Sequence, residues 1–508
     1  MTNNIVEILF ENAEKHPEKL AIIHKKEKIT YGELALDVKD YAQYFLSKGI
    51  KKGDNVLIFV PMTIELYKIL SAIFYIGATA VFVDAWADKN RLNQALTIVP
   101  CKAFIACPKA FILKLMSKKV REVGINLMFP SPLDGEGRIS MRRMSIRNSG
   151  EGYEIKPATS DTTALITFTT GSTGLPKAAK RTHEFLLEQH YVLKKHLAPQ
   201  ENDVDLTSLP VFVLHNLACG TTSVIPDFNP QKPADIKPKK ILNDIKNNGV
   251  TTSVGSPRFY ERLAEFSEIK GLNKIFTGGA PVFPKSAKLL QEKFVGCGVE
   301  IVYGSTEAEP IASISTHELL NFKGDVKDGL YVGKPIDDIN IKIIKPSDDV
   351  IEDFESMWLE RGEIGEICVE GKHVLKEYYN SEKAQKFAKI NYNGQIWHRT
   401  GDAGYLDKDG NLFLMGRVKN RFEHNGKNVY VFPIENALLE INGIEIGTVL
   451  KLNDKIIIAA ETKIRQGKLE QELRNRNFEF DKLVITKIPR DPRHNSKIDY
   501  DKLKKILS

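Results

Sequence analysis

Between Ala164 and Lys177 an apolar, strand-like stretch, Ala164–Phe168, runs directly into Thr169-Thr-Gly-Ser-Thr-Gly-Leu-Pro-Lys177. A loop of this composition has nothing to pack on by itself, so the fold must place a buried sheet behind it. Gly171 and Gly174 permit tight bends and close approach of the backbone to a ligand. Thr169, Thr170, Ser172 and Thr173 offer hydroxyls, and consecutive amides in such a turn make a concave anion site. Pro176 fixes one dihedral ahead of Lys177, which adds a mobile positive charge. The stretch predicts a phosphate loop at a strand end. It is not of the G-x-x-x-x-G-K-[ST] type: Leu175 and Pro176 follow Gly174, and Ala178 follows the lysine.

The surroundings of that loop predict an α/β fold. Residues 5–20 have the apolar spacing of an amphipathic helix, and 21–29 that of a short hairpin. Thr30-Tyr-Gly-Glu33 has capping-box spacing before a helix ending near Gly49. The longest apolar run, Ile69–Val83, is 15 residues and is divided by Gly77, so it reads as a buried helix and then a buried strand, not a membrane span. Further strands at 56–60, 81–84 and 103–106 alternate with helices, which implies a largely parallel sheet. Residues 130–160 and 227–240 are rich in Gly, Ser, Pro and charge and read as surface connections. Leu206–Leu214 is expected to be a buried strand, with His215 following it.

At 508 residues the chain exceeds one core, so at least two domains are expected. Charge divides it unevenly. From Arg417 to Ser508 there are 19 Lys or Arg against 13 Asp or Glu, whereas the rest is near balance at 53 against 52. A basic C-terminal segment suits a phosphate-bearing partner, but no nucleic-acid motif or aromatic interleaving accompanies it. The five cysteines are scattered without a CxxC pair, which suits a reducing cytoplasm. The first residues lack the basic start and apolar core of a signal peptide. Oligomeric state is left open between monomer and homodimer.

Further motifs follow in order: Gly278-Gly279-Ala280-Pro281, Tyr303-Gly304-Ser305-Thr306-Glu307, Thr400-Gly401-Asp402, Gly416-Arg417-Val418-Lys419, and Lys497 near the C-terminus. Glu307 is of the kind that a phosphate-bound magnesium takes, a single carboxylate among waters and phosphate oxygens. With the loop, these motifs resemble the adenylate-forming superfamily, which includes acyl-CoA synthetases, peptide-synthetase adenylation domains and luciferases. The resemblance spans nearly the whole chain. It implies a large N-terminal domain, residues 1–416, of packed mainly parallel sheets with helices plus a β-subdomain. A small mobile lid, residues 417–508, would follow a hinge near Lys419.

It also implies the chemistry: a carboxylate attacks the α-phosphorus of ATP, giving acyl-AMP and pyrophosphate. Thr169–Gly174 and Lys177 would hold phosphates. Gly279, Ala280 and Pro281 would line the adenine pocket with Tyr303, Gly304 and Ser305. Thr306 would bind the α-phosphate, Glu307 the magnesium, and Asp402 and Arg417 the ribose. Lys497 would be the catalytic lysine, and His215 would close the carboxylate pocket. His183 also falls where the family often has a histidine.

Two readings of the second step stand. In the first, an apolar-tailed fatty acid is passed to coenzyme A. In the second, a 2-alkyl-3-hydroxy fatty acid closes a β-lactone without a thiol, because GGAPVFP, YGSTEAEPIA and RHNSKI resemble the olefin-pathway β-lactone synthetases. Departures at Ala178, at Asn420 and in a lid stretch, Gly426–Pro433, two residues longer than the common pattern bear on coenzyme A and not on adenylation.

Overall fold

The computed structural model describes residues 4–83, 88–129, 154–155, 158–170, 176–229, 235–324, 328–491 and 496–508. The loop positions Gly171 to Gly174 and most of the two predicted surface connections lie outside them. The N-terminal domain is built on three sheets. A nine-stranded sheet has a parallel middle formed by Leu20–His24, Thr222–Ile225, Val204–Thr207, Thr252–Gly255, Lys274–Gly278 and Gly298–Ser305, with antiparallel strands at its edges. A six-stranded sheet orders 125–128, 103–106, 55–59, 79–82, 163–170 and 176–182. A third, antiparallel sheet pairs Leu412–Arg417, Gln395–Leu406, Gly365–Glu370 and Asn340–Ile344.

Two helices fill the core beside the first two sheets. Tyr31–Ser47 and Ile64–Tyr75 pack together, and the second is apolar nearly all round, with Ile64 and Leu66 through Phe74 buried. A helix apolar on every side belongs inside a core. Its one buried charge, Lys68, is paired with Asp37 at 2.7 Å. The expected capping box is present: Glu33 N donates to Thr30 Oγ1, and Thr30 N donates to Glu33 Oε2. The apolar run divides as predicted into helix Ile64–Tyr75 and strand Thr79–Phe82, with Gly77 at φ +70° between them.

The stretch 206–214 departs from expectation. Only Val204–Thr207 is strand, and Pro210 opens a helix, Pro210–Cys219. Proline suits the first helical turn because its missing N–H would have no intrahelical partner there. The motif Thr400–Asp402 lies inside the long strand Gln395–Leu406. Gly401 has φ +73°, next to an irregular register, so the strand kinks where Asp402 leaves it.

After Arg417 the chain makes a short turn, a ribbon (Phe422–His424 with Lys427–Val429), and a smaller C-terminal domain. There a three-stranded sheet packs on Val431–Leu439, Gln466–Asn475 and Tyr500–Leu507. Gly416 sits at φ +117°, and an added Cβ would lie 2.7 Å from Val431 Cγ2, so the passage into this domain excludes side chains. Phe283 and Phe432 meet edge to face, and Lys285 Nζ donates to Ile444 O at 2.7 Å, which docks the C-terminal domain on the sheet end.

The core of the small domain contains a buried carboxyl. Glu435 accepts from Thr448 Oγ1 at 2.7 Å and from Tyr500 OH, and burial pushes its pKa up to about 7 despite those bonds. In the unfolded chain the group ionises near 4.5. Folding therefore loses stability from this group as pH rises from about 4.5 to about 7, by an amount on the order of 3 kcal/mol. Glu435→Gln should remove that slope. The difference in unfolding midpoint between the variant and the native chain, followed across this window, is the measurement. An unchanged slope refutes the assignment.

Candidate active site

A cleft of about 2340 Å³ opens between the sheet ends of the large domain and the small domain. Thr169, Lys177, Gly279, Ala280, Pro281, Tyr303, Gly304, Ser305, Thr306, Glu307, Asp402, Arg417 and Lys497 all line it. Residues separated by hundreds of positions converge because parallel strands deliver their C-terminal ends to one side.

The phosphate-loop strand, Thr163–Thr170, pairs antiparallel with Pro176–Thr182, so the described ends of the loop are Thr170 and Pro176, directly opposite each other. Thr306 and Glu307 form the two-residue turn between strands Gly298–Ser305 and Ala308–Ser315. This turn inserts Glu307 beside the loop strand, where its Oε1 accepts from Thr169 Oγ1 at 3.1 Å and Tyr378 OH at 3.0 Å. Arg181 anchors the same turn by donating to Thr306 O at 3.2 Å.

Electrostatics hold Glu307 ionised. Burial opposes the charge, but His398, Lys389 and the two hydroxyl donors outweigh it and leave the carboxyl below its usual range. His398 is itself kept neutral near pH 7, with its pKa pushed down to about 3 by burial. The charge that acts at neutral pH is therefore that of Lys389 and Lys177. Lys389 is buried, donates to Leu375 O, and is pushed down to about 7 by burial and by Lys177, with Glu307 opposing. Lys177 is lowered by burial and supported by Glu307, and it lies over the rings of Tyr378 and Phe387. An ionised carboxylate flanked by a threonine hydroxyl is a hard-oxygen set. It fits a magnesium ion that takes its remaining ligands from phosphate and water.

Asp402 faces the other end of the cleft. Its carboxylate accepts from Tyr303 OH at 2.9 Å and from Arg417 Nε at 3.1 Å. Burial and then Asp402 push the Tyr303 phenol well up, so it stays a donor. Behind the kink, a fully buried pair fixes the backbone. Arg399 Nη2 meets Glu366 Oε2 at 2.7 Å, and Glu366 Oε1 accepts from Gly401 N at 3.2 Å. Thr400 Oγ1 donates to Ile367 O at 2.8 Å.

Lys497 enters from the small domain. Asp491 Oδ1 accepts from Ser496 N and Lys497 N, at 3.1 and 2.8 Å, and Arg490 bridges Ile498, so the loop is cinched at its base with Lys497 facing the cleft. Residues 492 to 495 lie outside the described ones.

Two histidines are placed elsewhere. His215, expected to close the carboxylate pocket, is not among the residues that line the cleft. It lies on helix Pro210–Cys219, whose Pro210, Val211, Phe212 and Leu214 line the cleft, while His215 turns to His190 and Cys219. His183 is buried, accepts from Ile5 N at 3.4 Å and meets Phe74 edge to face. The sequence reading also missed Lys389, Tyr378, His398, Arg399 and Glu366. Their polar character reads as surface, and only the fold reveals that they are buried.

The apolar wall is formed by Leu66, Leu70, Phe82, Phe168, Phe212 and Leu214. The stretches 207–220, 253–260 and 278–283 also contribute to the cleft, as does Glu309. The side from helix Ile64–Tyr75 was not anticipated.

The AMP-binding enzyme family matches residues 9–379. An olefin beta-lactone synthetase of Xanthomonas campestris pv. campestris is 30% identical over 423 residues, covering 80% of this chain and 75% of that protein. A 2-succinylbenzoate–CoA ligase of Oceanobacillus iheyensis is 28% identical, covering 86% and 84%. The structure of O-succinylbenzoate coenzyme A synthetase from Bacillus subtilis in complex with ATP and magnesium ion superposes with a TM-score of 0.79. It is 22% identical and covers 99% of each chain.

Proposed function

The chain belongs to the AMP-binding enzyme family and is an AMP-forming ligase, and from that premise we propose that it adenylates a 2-alkyl-3-hydroxy fatty acid and closes it to a β-lactone. The observation that carries the first half is one cleft holding Lys177, Glu307, Tyr303, Asp402 and Arg417, continuous with an apolar wall. Asp402 and Arg417 would hold the ribose, and Tyr303 with Gly279 to Pro281 the adenine. Glu307 would hold magnesium, which when bound shields the phosphate charge. Lys177 and Lys497 would neutralise the two anions that must meet, where preorganised charge acts most strongly.

In the first step a carboxylate oxygen bonds to the α-phosphorus and pyrophosphate leaves. In the second, the substrate's 3-hydroxyl loses its proton, its oxygen bonds to the acyl carbon, and AMP leaves. Two things support this second step over transfer to coenzyme A. The relatives named beta-lactone synthetases match the chain more closely than the coenzyme A ligase does. In addition, the chain departs from the coenzyme A pattern at Asn420 and in the ribbon around Gly426. The lid boundary at Arg417 and a hinge near Lys419 belong to this reading. No helix among the described residues is long and apolar enough to cross a membrane.

Product analysis separates the two endings. With ATP, magnesium, a 2-alkyl-3-hydroxy fatty acid and no thiol, AMP, pyrophosphate and lactone are expected in equal amounts. If acyl-AMP stalls until coenzyme A is added, the lactone reading is lost and the coenzyme A ligase reading replaces it.

A further inference from the structure

Three donor side chains sit together behind the apolar wall, and the adenylation chemistry uses none of them. Helices His183–Leu197 and Pro210–Cys219 pack against each other. His190 comes from the first. His215 and Cys219, four residues apart and so on one face, come from the second. His190 Nδ1 and His215 Nδ1 are 3.1 Å apart, and His215 Nε2 is 3.4 Å from Cys219 Sγ. One ligand atom from each residue can be chosen so that all lie within 4.8 Å of one another. Both imidazoles are 5% exposed and Cys219 is half-buried.

We propose that His190, His215 and Cys219 form a binding site for one zinc-class transition-metal ion, distinct from the magnesium position at Glu307. The donor set sets the class. Two imidazole nitrogens and a thiolate suit zinc and its thiophilic neighbours, whereas magnesium and calcium require oxygen. Three protein ligands with a fourth position left to water is an arrangement zinc adopts, at about 2.0–2.1 Å to nitrogen and about 2.3 Å to sulfur. The Cys219 proton is released to solvent when the metal–sulfur bond forms, as in other thiolate sites.

The site's position gives it a consequence. Pro210, Val211, Phe212 and Leu214 of the second helix face the cleft. An ion bridging His190 to His215 and Cys219 would tie that helix to its neighbour and stiffen the acyl wall from behind.

The metal-free alternative is a hydrogen-bonded chain, in which Cys219 donates to His215 Nε2 and His215 Nδ1–H donates to His190 Nδ1. Titrating the full-length, reduced, chelator-treated protein with Co²⁺, in excess Mg²⁺, distinguishes the two. The expected result is a thiolate-to-cobalt charge-transfer absorption that saturates at one equivalent and is displaced by Zn²⁺. It should vanish in Cys219→Ser. In His190→Gln the apparent affinity should fall by more than the roughly 10–100-fold that even supporting residues cost. Zn²⁺ should raise the unfolding midpoint of the native chain and not that of Cys219→Ser. Absence of the band in the native chain, or its survival in Cys219→Ser, overturns the proposal. Because the native-chain titration stands alone, misfolding of a variant does not shelter it.

Discussion

Lys497→Ala is expected to lower acyl-adenylate formation by about 10²–10³-fold while leaving ATP binding near normal. The magnitude follows from its task. A carboxylate and a triphosphate repel each other, and the charge on the α-phosphoryl oxygens grows as they react. A cation placed in advance acts on the transition state more than on the bound ground state. Lys497 is held for this by Asp491, which accepts from two successive backbone amides and so fixes the loop that presents the lysine. The ribose and magnesium groups lie on the other domain, so nucleotide affinity should survive its loss. Carboxylate-dependent pyrophosphate exchange measures the step, and equilibrium ATP binding controls for the site. Near-normal exchange would remove Lys497 from the reaction.

The sequence made the nucleotide side of this site legible because its residues are fixed by backbone form. Gly-rich turns, a carboxylate after YGST and another after a Thr-Gly kink can each be read in one dimension. What stayed hidden is whatever depends on burial. Lys389 and Glu366 look like solvated charges until the fold encloses them. Periodicity misread 206–214 because a four-residue strand and a buried helix are both continuously apolar, and only Pro210 marked the change. The place expected for His215 came from the resemblance and not from this periodicity, and the helix turns it to His190 and Cys219. Strand alternation gave the parallel sheets, whereas the Thr-Gly-Asp motif does not by itself say whether Gly401 serves a turn or a strand kink, since a positive-φ glycine suits both.

Glu307→Gln is expected to cost at least as much activity as Lys497→Ala, and it tests a different claim. The side chain would have two roles, magnesium ligand in the proposed reaction and counter-charge to Lys389 and Lys177. Removing a buried counter-charge also strands the cations it faces, so loss of activity alone would be ambiguous. Lys389 offers a way to separate the roles. Its pKa is already down to about 7, and Glu307 is what holds it from falling further. In the glutamine variant it should drop below 7 and shed its proton at neutral pH. For a lysine lowered from 10.5, the unfolded chain binds the extra proton, so stability rises with pH through the interval between the two values. The variant should accordingly gain stability relative to the native chain as pH rises, because the bare buried cation is then neutralised. Glu307→Gln combined with Lys389→Met removes the stranded charge altogether. Its unfolding midpoint should return toward that of the native chain, while magnesium-dependent pyrophosphate exchange stays about 10²–10³-fold down. If the double variant regains activity along with stability, Glu307 balances charge and does not hold the metal, and the magnesium must be sought at another carboxylate of the cleft.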